Sequence, residues 1–211
     1  MMYWQYDVVM AHTNTVHQAP PPAPSRHPSL RLEPIERPPS LLLRLVYKVA
    51  GKKLGTVPTG MKVIFPRVPG MLKLTVAMQK FGKKSRLDED LREFVHMAVS
   101  SVNGCTFCMD LGRMMAVTEN KSLEKLNAVP DYPTSRMFTA RERAAIAYGD
   151  EVARNKSPSD ETFATLRQHF TDAEIAELTV FIALVHFMNL QQVPLGIGSD
   201  GLCAIAQARK R

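Results

Sequence analysis

Apolar side chains recur at three- and four-residue spacing along most of this chain, the period that gathers them on one face of an α-helix. Leu42, Leu45, Val46 and Val49 form the first stripe, which ends at Gly51. Pro58, Gly60, Pro66, Pro69 and Gly70 punctuate a connection, and Leu74, Ala77, Met78 and Phe81 form the next stripe. Asp88 stands where an N-cap belongs, before a helix whose inward face is Leu91, Phe94, Val95, Ala98, Val99 and Val102. Two capping boxes follow. Thr139 with Glu142 opens a helix to about Asn155, and Thr171 with Glu174 opens another to about Gln192, with a short helix between Ser159 and Phe170. Pro194 stops the long one. Met61 to Phe65 alone has strand character and finds nothing to pair with, so the pattern predicts an all-α, multi-helix domain over residues 41–211. Residues 1–40 hold eight of the fifteen prolines and no helical stripe, which predicts a disordered Pro-rich tail.

Composition narrows the function classes. The 211 residues suffice for one packed domain with a tail, and 45% hydrophobic with 22% charged residues is ordinary globular usage. The net charge of +7 is uneven: residues 41–87 carry eleven Lys and Arg and no acid, whereas residues 88–211 carry thirteen bases and seventeen acids. The bases are interleaved with helix-spaced apolar residues and lack stacking aromatics, which favours a solvated or subunit-facing surface over a nucleic-acid partner. No apolar run has the roughly 18–20 residues of a membrane span, and Met1 to Ala11 lack a basic start and an apolar core. The expectation is a cytoplasmic protein without membrane or nucleic-acid partners.

Three cysteines are too few for a secreted disulfide framework, and two of them form Cys105-Thr106-Phe107-Cys108. Positions three apart on a helix share a face with Cβ atoms about 5–6 Å apart, and a disulfide needs roughly 3.5–4.5 Å, so a small adjustment at a helix start closes the pair. Asn103 and Gly104 just before it read as a break between two helices. The thiols then lie at a helix N-terminus, where unpaired N–H groups favour a thiolate. Two rival readings stay open: half of a zinc site, which needs a second ligand pair, and two buried structural thiols. Cys203 lies 95 residues from Cys108 and outside the motif.

Glu93 and His96 are three apart on the preceding helix and share a face. A carboxylate aimed at the thiols could accept a proton, but along a continuous helix Glu93 and Cys105 would be about 18 Å apart, so any meeting depends on the break. His186 on the long helix, like His96, reads either as a hydrogen-bonded core residue or as a site residue. Met109, Met114 and Met115 read as core filling.

The run Leu91-Arg92-Glu93 followed by Ser101-Val102-Asn103-Gly104-Cys105-Thr106-Phe107-Cys108 resembles the core of the carboxymuconolactone decarboxylase and alkylhydroperoxidase D superfamily. The resemblance extends over about residues 41–211 and is strongest from 87 to 118. It implies an all-α helical oligomer, a trimer or hexamer, with Cys108 as peroxidatic thiol, Cys105 as resolving thiol and Glu93 as the carboxylate of a proton relay. It implies a thiol-dependent peroxidase that needs no bound cofactor or metal, takes a peroxide or another small molecule, and is re-reduced by a thiol reductant or reductase partner. The alternatives are a dithiol reductase or decarboxylase-like lyase on the same helices, or an oligomeric scaffold with structural thiols. Two departures weaken the peroxidase expectation: Gly112 stands where the family pattern has a His four residues after the second cysteine, and Phe107 where some members have another. Positioned acid–base groups contribute about 10²–10⁴ in rate.

Overall fold

Helix α4 (Glu89–Val102) is the centre of the fold, because Leu91, Phe94, Val95, Met97, Ala98, Val99 and Ser100 are all buried along it. We describe residues 30–82 and 84–210 of the chain in a computed structural model. Ten α-helices stand among these residues: α1 (Leu41–Leu54), α2 (Thr59–Ile64), α3 (Met71–Gly82), α4, α5 (Thr106–Thr118), α6 (Leu123–Asn127), α7 (Ala140–Asn155), α8 (Asp160–Arg167), α9 (Asp172–Gln192) and α10 (Leu202–Lys210). Helix α4 packs on α5, α7 and α9, and α10 packs on α5. One apolar cluster joins Val95 and Val99 to Ala145, Leu178 and Ile182, and a second surrounds Cys105 and Cys108 with Val63, Met114, Ile197 and Leu202. Each fully buried Val or Leu in these seams contributes roughly 1.5–3 kcal/mol.

The all-α expectation holds. Both capping boxes form: Thr139 and Thr171 accept from the N–H of Glu142 and Glu174, whose carboxylates bond back to the cap residue. The Glu174 carboxyl is pulled down to about 2 by its bond to the Thr171 backbone and then by Arg141. Asp88 occupies the N-cap position of α4 without making a capping bond. Helix α9 is long and apolar enough to cross a membrane by length and hydropathy, yet Ile175, Leu178, Ile182, Val185, Asn189 and Gln192 bury one face of it in this fold.

Two local expectations are corrected, and the first stripe turns out to face away from the core. Met61 to Phe65 lies largely in helix α2 because the Asp200 carboxylate caps it, accepting from Thr59 N at 2.8 Å and Thr59 Oγ1 at 2.6 Å. The α1 stripe faces outward: Leu42 is 60% and Leu45 58% exposed, and the buried residue of this helix is Tyr47. The tail expectation over 1–40 falls mostly on residues 1–29, outside the described residues, but residues 30–40 differ from it. Arg31 N donates to Leu195 O and Ile35 N to Lys62 O, Glu36 pairs with Lys62 at 3.0 Å, and Pro38 is fully buried. Prolines preclude helix and sheet here, but an extended strap needs neither.

Helix α10, which the apolar pattern had not marked, is anchored by one buried carboxylate. Asp110 on α5 accepts from Ser199 Oγ, Leu202 N and Cys203 N at 2.8, 2.8 and 3.0 Å. The carboxylate meets the unpaired N–H groups of the α10 start.

A chain beginning at Leu41 is expected to melt lower than one beginning at Leu30, by about 2–4 °C, since a loss near 1 kcal/mol shifts a domain of this size by that amount. Equal melting temperatures in differential scanning calorimetry would mean that the strap contributes nothing.

Candidate active site at the α4–α5 break

One residue closes α4 and opens α5. Gly104 takes a left-handed conformation (φ 68°), Cys105 N donates to Ser100 O at 2.9 Å, and Gly104 N donates to Ser101 O at 3.1 Å. That pair of bonds is a Schellman ending, and Cys105, its last residue, is also the N-cap of α5. Cys105 Sγ accepts from Cys108 N at 3.3 Å, and the two cysteines are joined as a disulfide with Cα atoms 5.2 Å apart. The Asn103 side chain fastens the break to α9, donating to Asn189 Oδ1 at 2.8 Å and lying 3.0 Å from His186 Nδ1. Asn189 is fully buried and donates in turn to Ser100 Oγ at 3.1 Å. Cys203 is free, partly exposed and outside this arrangement.

Cys105 is completely buried, whereas Cys108, also largely buried, lines a cavity of about 230 Å³ between α3, α4, α5 and α9. The wall is strongly apolar: Met78, Phe81, Phe107, Leu111, Phe181, Leu184, Val185 and Met188 form more than half of it. Its polar members are few. Gln192 is buried, and its Oε1 has no hydrogen-bond partner among the described residues. His96 and Cys108 are the wall's titratable side chains.

His96 therefore reaches the site, which spacing alone left open. Its ring packs on the bare face of Gly112: a Cβ added there would lie 3.3 Å from His96 Nδ1 and 3.1 Å from Met97 Sδ. Burial holds the His96 pKa down at about 4, so the imidazole is neutral near pH 7. His186 is not on the cavity wall. It lies at the helix break, its Nε2 buried without a partner among the described residues, and burial, then the Lys156 charge, lowers its pKa. Met114 is buried and Met109 packs on the core, as expected, whereas Met115 is exposed.

Glu93 is placed elsewhere. It bonds Lys121 Nζ at 2.6 Å, lines a separate 40 Å³ pocket with Asp90 and Lys125, and is absent from the Cys108 wall. Burial raises its carboxyl pKa, and the Lys121 bond offsets only part of that. Lys121 also lies 2.9 Å from Glu119, 3.3 Å from Asp90 and 3.5 Å from Glu89. Partial burial lowers its pKa, but these bonds outweigh that and raise it. The carboxylates of Glu89, Glu93 and Glu119 come close enough to hold a cation, and the Lys121 ammonium stands among them.

Comparison with known proteins agrees with this architecture. Residues 69–151 match the carboxymuconolactone decarboxylase family. The Escherichia coli K12 protein YnjA is 30% identical over 128 residues, which is 60% of this chain and 70% of YnjA. Among solved structures, a Cys-to-Ala variant of the debrominase Bmp8 in complex with 2,3,4-tribromopyrrole superimposes with a TM-score of 0.71 at 18% identity, covering 87% of this chain and 98% of Bmp8. The alkylhydroperoxidase AhpD core of a peroxidase-related protein from Ralstonia eutropha JMP134 does so with a TM-score of 0.66 at 19% identity, over 82% of this chain and 96% of that one.

The partly buried, desolvated imidazole of His96 makes stability pH-dependent. The folded pKa of about 4 lies below the ordinary 6.5, so the unfolded chain binds the proton more tightly. This contribution is complete above pH 6.5 and is lost as pH falls toward 4. Urea unfolding at pH 7 and pH 4.5 should show wild type losing about 1–3 kcal/mol more than His96→Gln. Equal losses in the two proteins would contradict an imidazole held neutral by desolvation.

Proposed function

Because the chain belongs to the carboxymuconolactone decarboxylase and AhpD-like superfamily, we propose that it is a dithiol-dependent peroxidase acting on small organic hydroperoxides. The observation that carries this reading is the asymmetry of the cysteine pair, with Cys108 on the wall of an apolar cavity and Cys105 buried behind it. Cys108 thiolate attacks the terminal peroxide oxygen. An S–O bond forms, the O–O bond breaks, and the alkoxide leaves as an alcohol once protonated. Cys105 then attacks the sulfenic sulfur, forming the disulfide and releasing water. An external dithiol returns two electrons and two protons by exchange.

The N-terminus of α5 supports the first step, since its N–H groups stabilise negative charge at the first helical turn. The apolar wall supports an organic substrate over hydrogen peroxide, whose hydrogen bonds to water this wall cannot replace. Glu93, the relay carboxylate implied by resemblance, acts in this scheme only if it leaves Lys121.

A second reading is favoured by the phenylalanines Phe81, Phe107 and Phe181 on the wall, which suit a flat ring. In that reading the dithiol reduces a halogenated aromatic: the ring gains hydrogen, the halogen leaves as halide and the cysteines become a disulfide.

The test is dithiol-dependent consumption of cumene hydroperoxide by wild type, Cys108→Ser and Cys105→Ser, with a bromopyrrole run in parallel and assayed for bromide. Wild type should turn over, Cys108→Ser should be inactive, and Cys105→Ser should stop after one equivalent with a sulfenic acid on Cys108. Cumene hydroperoxide should be preferred to hydrogen peroxide by at least about tenfold, on the order of 1.4 kcal/mol of apolar binding. Bromide release without peroxide turnover would install the second reading, and neither activity would overturn both.

A further inference from the structure

We infer that His96 is the catalytic base and acid of the Cys108 cavity, carried on α4 and seated against α5 by the missing side chain of Gly112. The inference rests on the proposed dithiol chemistry for its substrate, but its geometry stands on its own. Gly112 lies four residues after Cys108, one helical turn or about 6 Å further along α5. The His96 ring lies directly over that position, with Nδ1 3.3 Å and Cε1 3.5 Å from where a Cβ would be. An imidazole therefore occupies the volume that a side chain at 112 would take, beside the wall that Cys108 lines.

Chemistry singles out the same ring. The other residues of the wall are Thr75, Gln79, Gly82, Gln192 and apolar side chains, none of which exchanges a proton near neutral pH. Glu93, one turn earlier on α4, is held by Lys121. Arg92 is turned to Gly82 O, to which it donates at 2.9 Å. A thiolate formed in so apolar a space needs a nearby group to take its proton; desolvation leaves the His96 ring unprotonated and open to one, and the thiolate beside it then stabilises the imidazolium that desolvation by itself disfavours. His96 takes the Cys108 proton as the thiolate forms, then returns it to the departing alkoxide oxygen. The proton balance of the first half-reaction closes within the cavity.

Gly112 is part of the device. A glycine in the middle of α5 weakens the helix relative to alanine, and its φ is not of the left-handed kind that demands glycine. What it supplies is room. Gly112→His by itself should bring no gain, because the new ring would collide with His96 and with Met97 Sδ, 3.1 Å from the added Cβ.

The experiment moves the imidazole from one helix to the other. His96→Gln keeps the side chain polar and of similar reach, His96→Ala empties the space, and His96→Ala with Gly112→His refills it from α5. Two rates are read on reduced protein: iodoacetamide alkylation of Cys108 as a function of pH, and sulfenic acid formation with cumene hydroperoxide. His96→Gln and His96→Ala should each slow sulfenic acid formation by about 10²-fold, in line with the worth of a positioned acid–base group, and move the alkylation profile to higher pH. The double variant should recover at least tenfold over His96→Ala, while Gly112→His alone stays at or below wild type. If wild type fails to react with the peroxide but its alkylation profile still shifts on removing His96, the peroxidase proposal falls and the base remains. If His96→Gln and His96→Ala both fold, by circular dichroism, and leave the alkylation profile unmoved, His96 is not the base.

Discussion

The left-handed turn at Gly104 is the constraint on which the site depends. An uninterrupted helix would carry Cys108 about 22 Å from the level of Glu93 and about 18 Å from that of His96, at 1.5 Å per residue. The turn ends α4, lets α5 fold back along it, and makes Cys105 both the last residue of one helix ending and the first cap of the next. A side chain at 104 would meet open space, so the demand for glycine is conformational, not steric. Asn103 then locks the corner to α9 through Asn189, and the same α9 supplies Phe181, Val185, Met188 and Gln192 to the cavity. Backbone geometry, polar lock and apolar wall converge on one corner.

The chemistry follows from how little charge that corner offers. The cavity holds a sulfur, a neutral imidazole and an unpaired amide oxygen against an apolar lining. Charge created there is expensive, which favours reactions whose proton returns within the cavity and whose product leaves neutral. The acidic cluster around Lys121 lies apart, in its own small pocket, and its ion pairs anchor the end of α5 to the start of α4.

What the sequence made legible was local. The boxes Thr139–Glu142 and Thr171–Glu174 formed as read because a capping box is written within four residues, and the break at Asn103–Gly104 was equally readable. Features set by distant partners were not. Helix α2 is capped by Asp200 and α10 is held by Asp110, pairings separated by 141 and 92 residues. The strap over 30–40 and the outward turn of the α1 leucines likewise depend on what the rest of the fold leaves open. In the site, Cys105 and Cys108 were visible as a motif, whereas the choice between Glu93 and His96, three residues apart, depended on how α4 is rotated about its axis. One signal was available: a glycine inside an amphipathic helix marks a close approach, and Gly112 marked the seat of His96.

The central claim is that Cys108 faces the cavity and Cys105 is sequestered behind it. Competitive alkylation of the reduced protein with a limiting amount of N-phenylmaleimide, mapped by mass spectrometry, tests it directly. The account predicts at least tenfold more label on Cys108 than on Cys105, and a loss of that preference when an aromatic competitor fills the cavity. Labelling of Cys105 equal to or faster than Cys108 would contradict it.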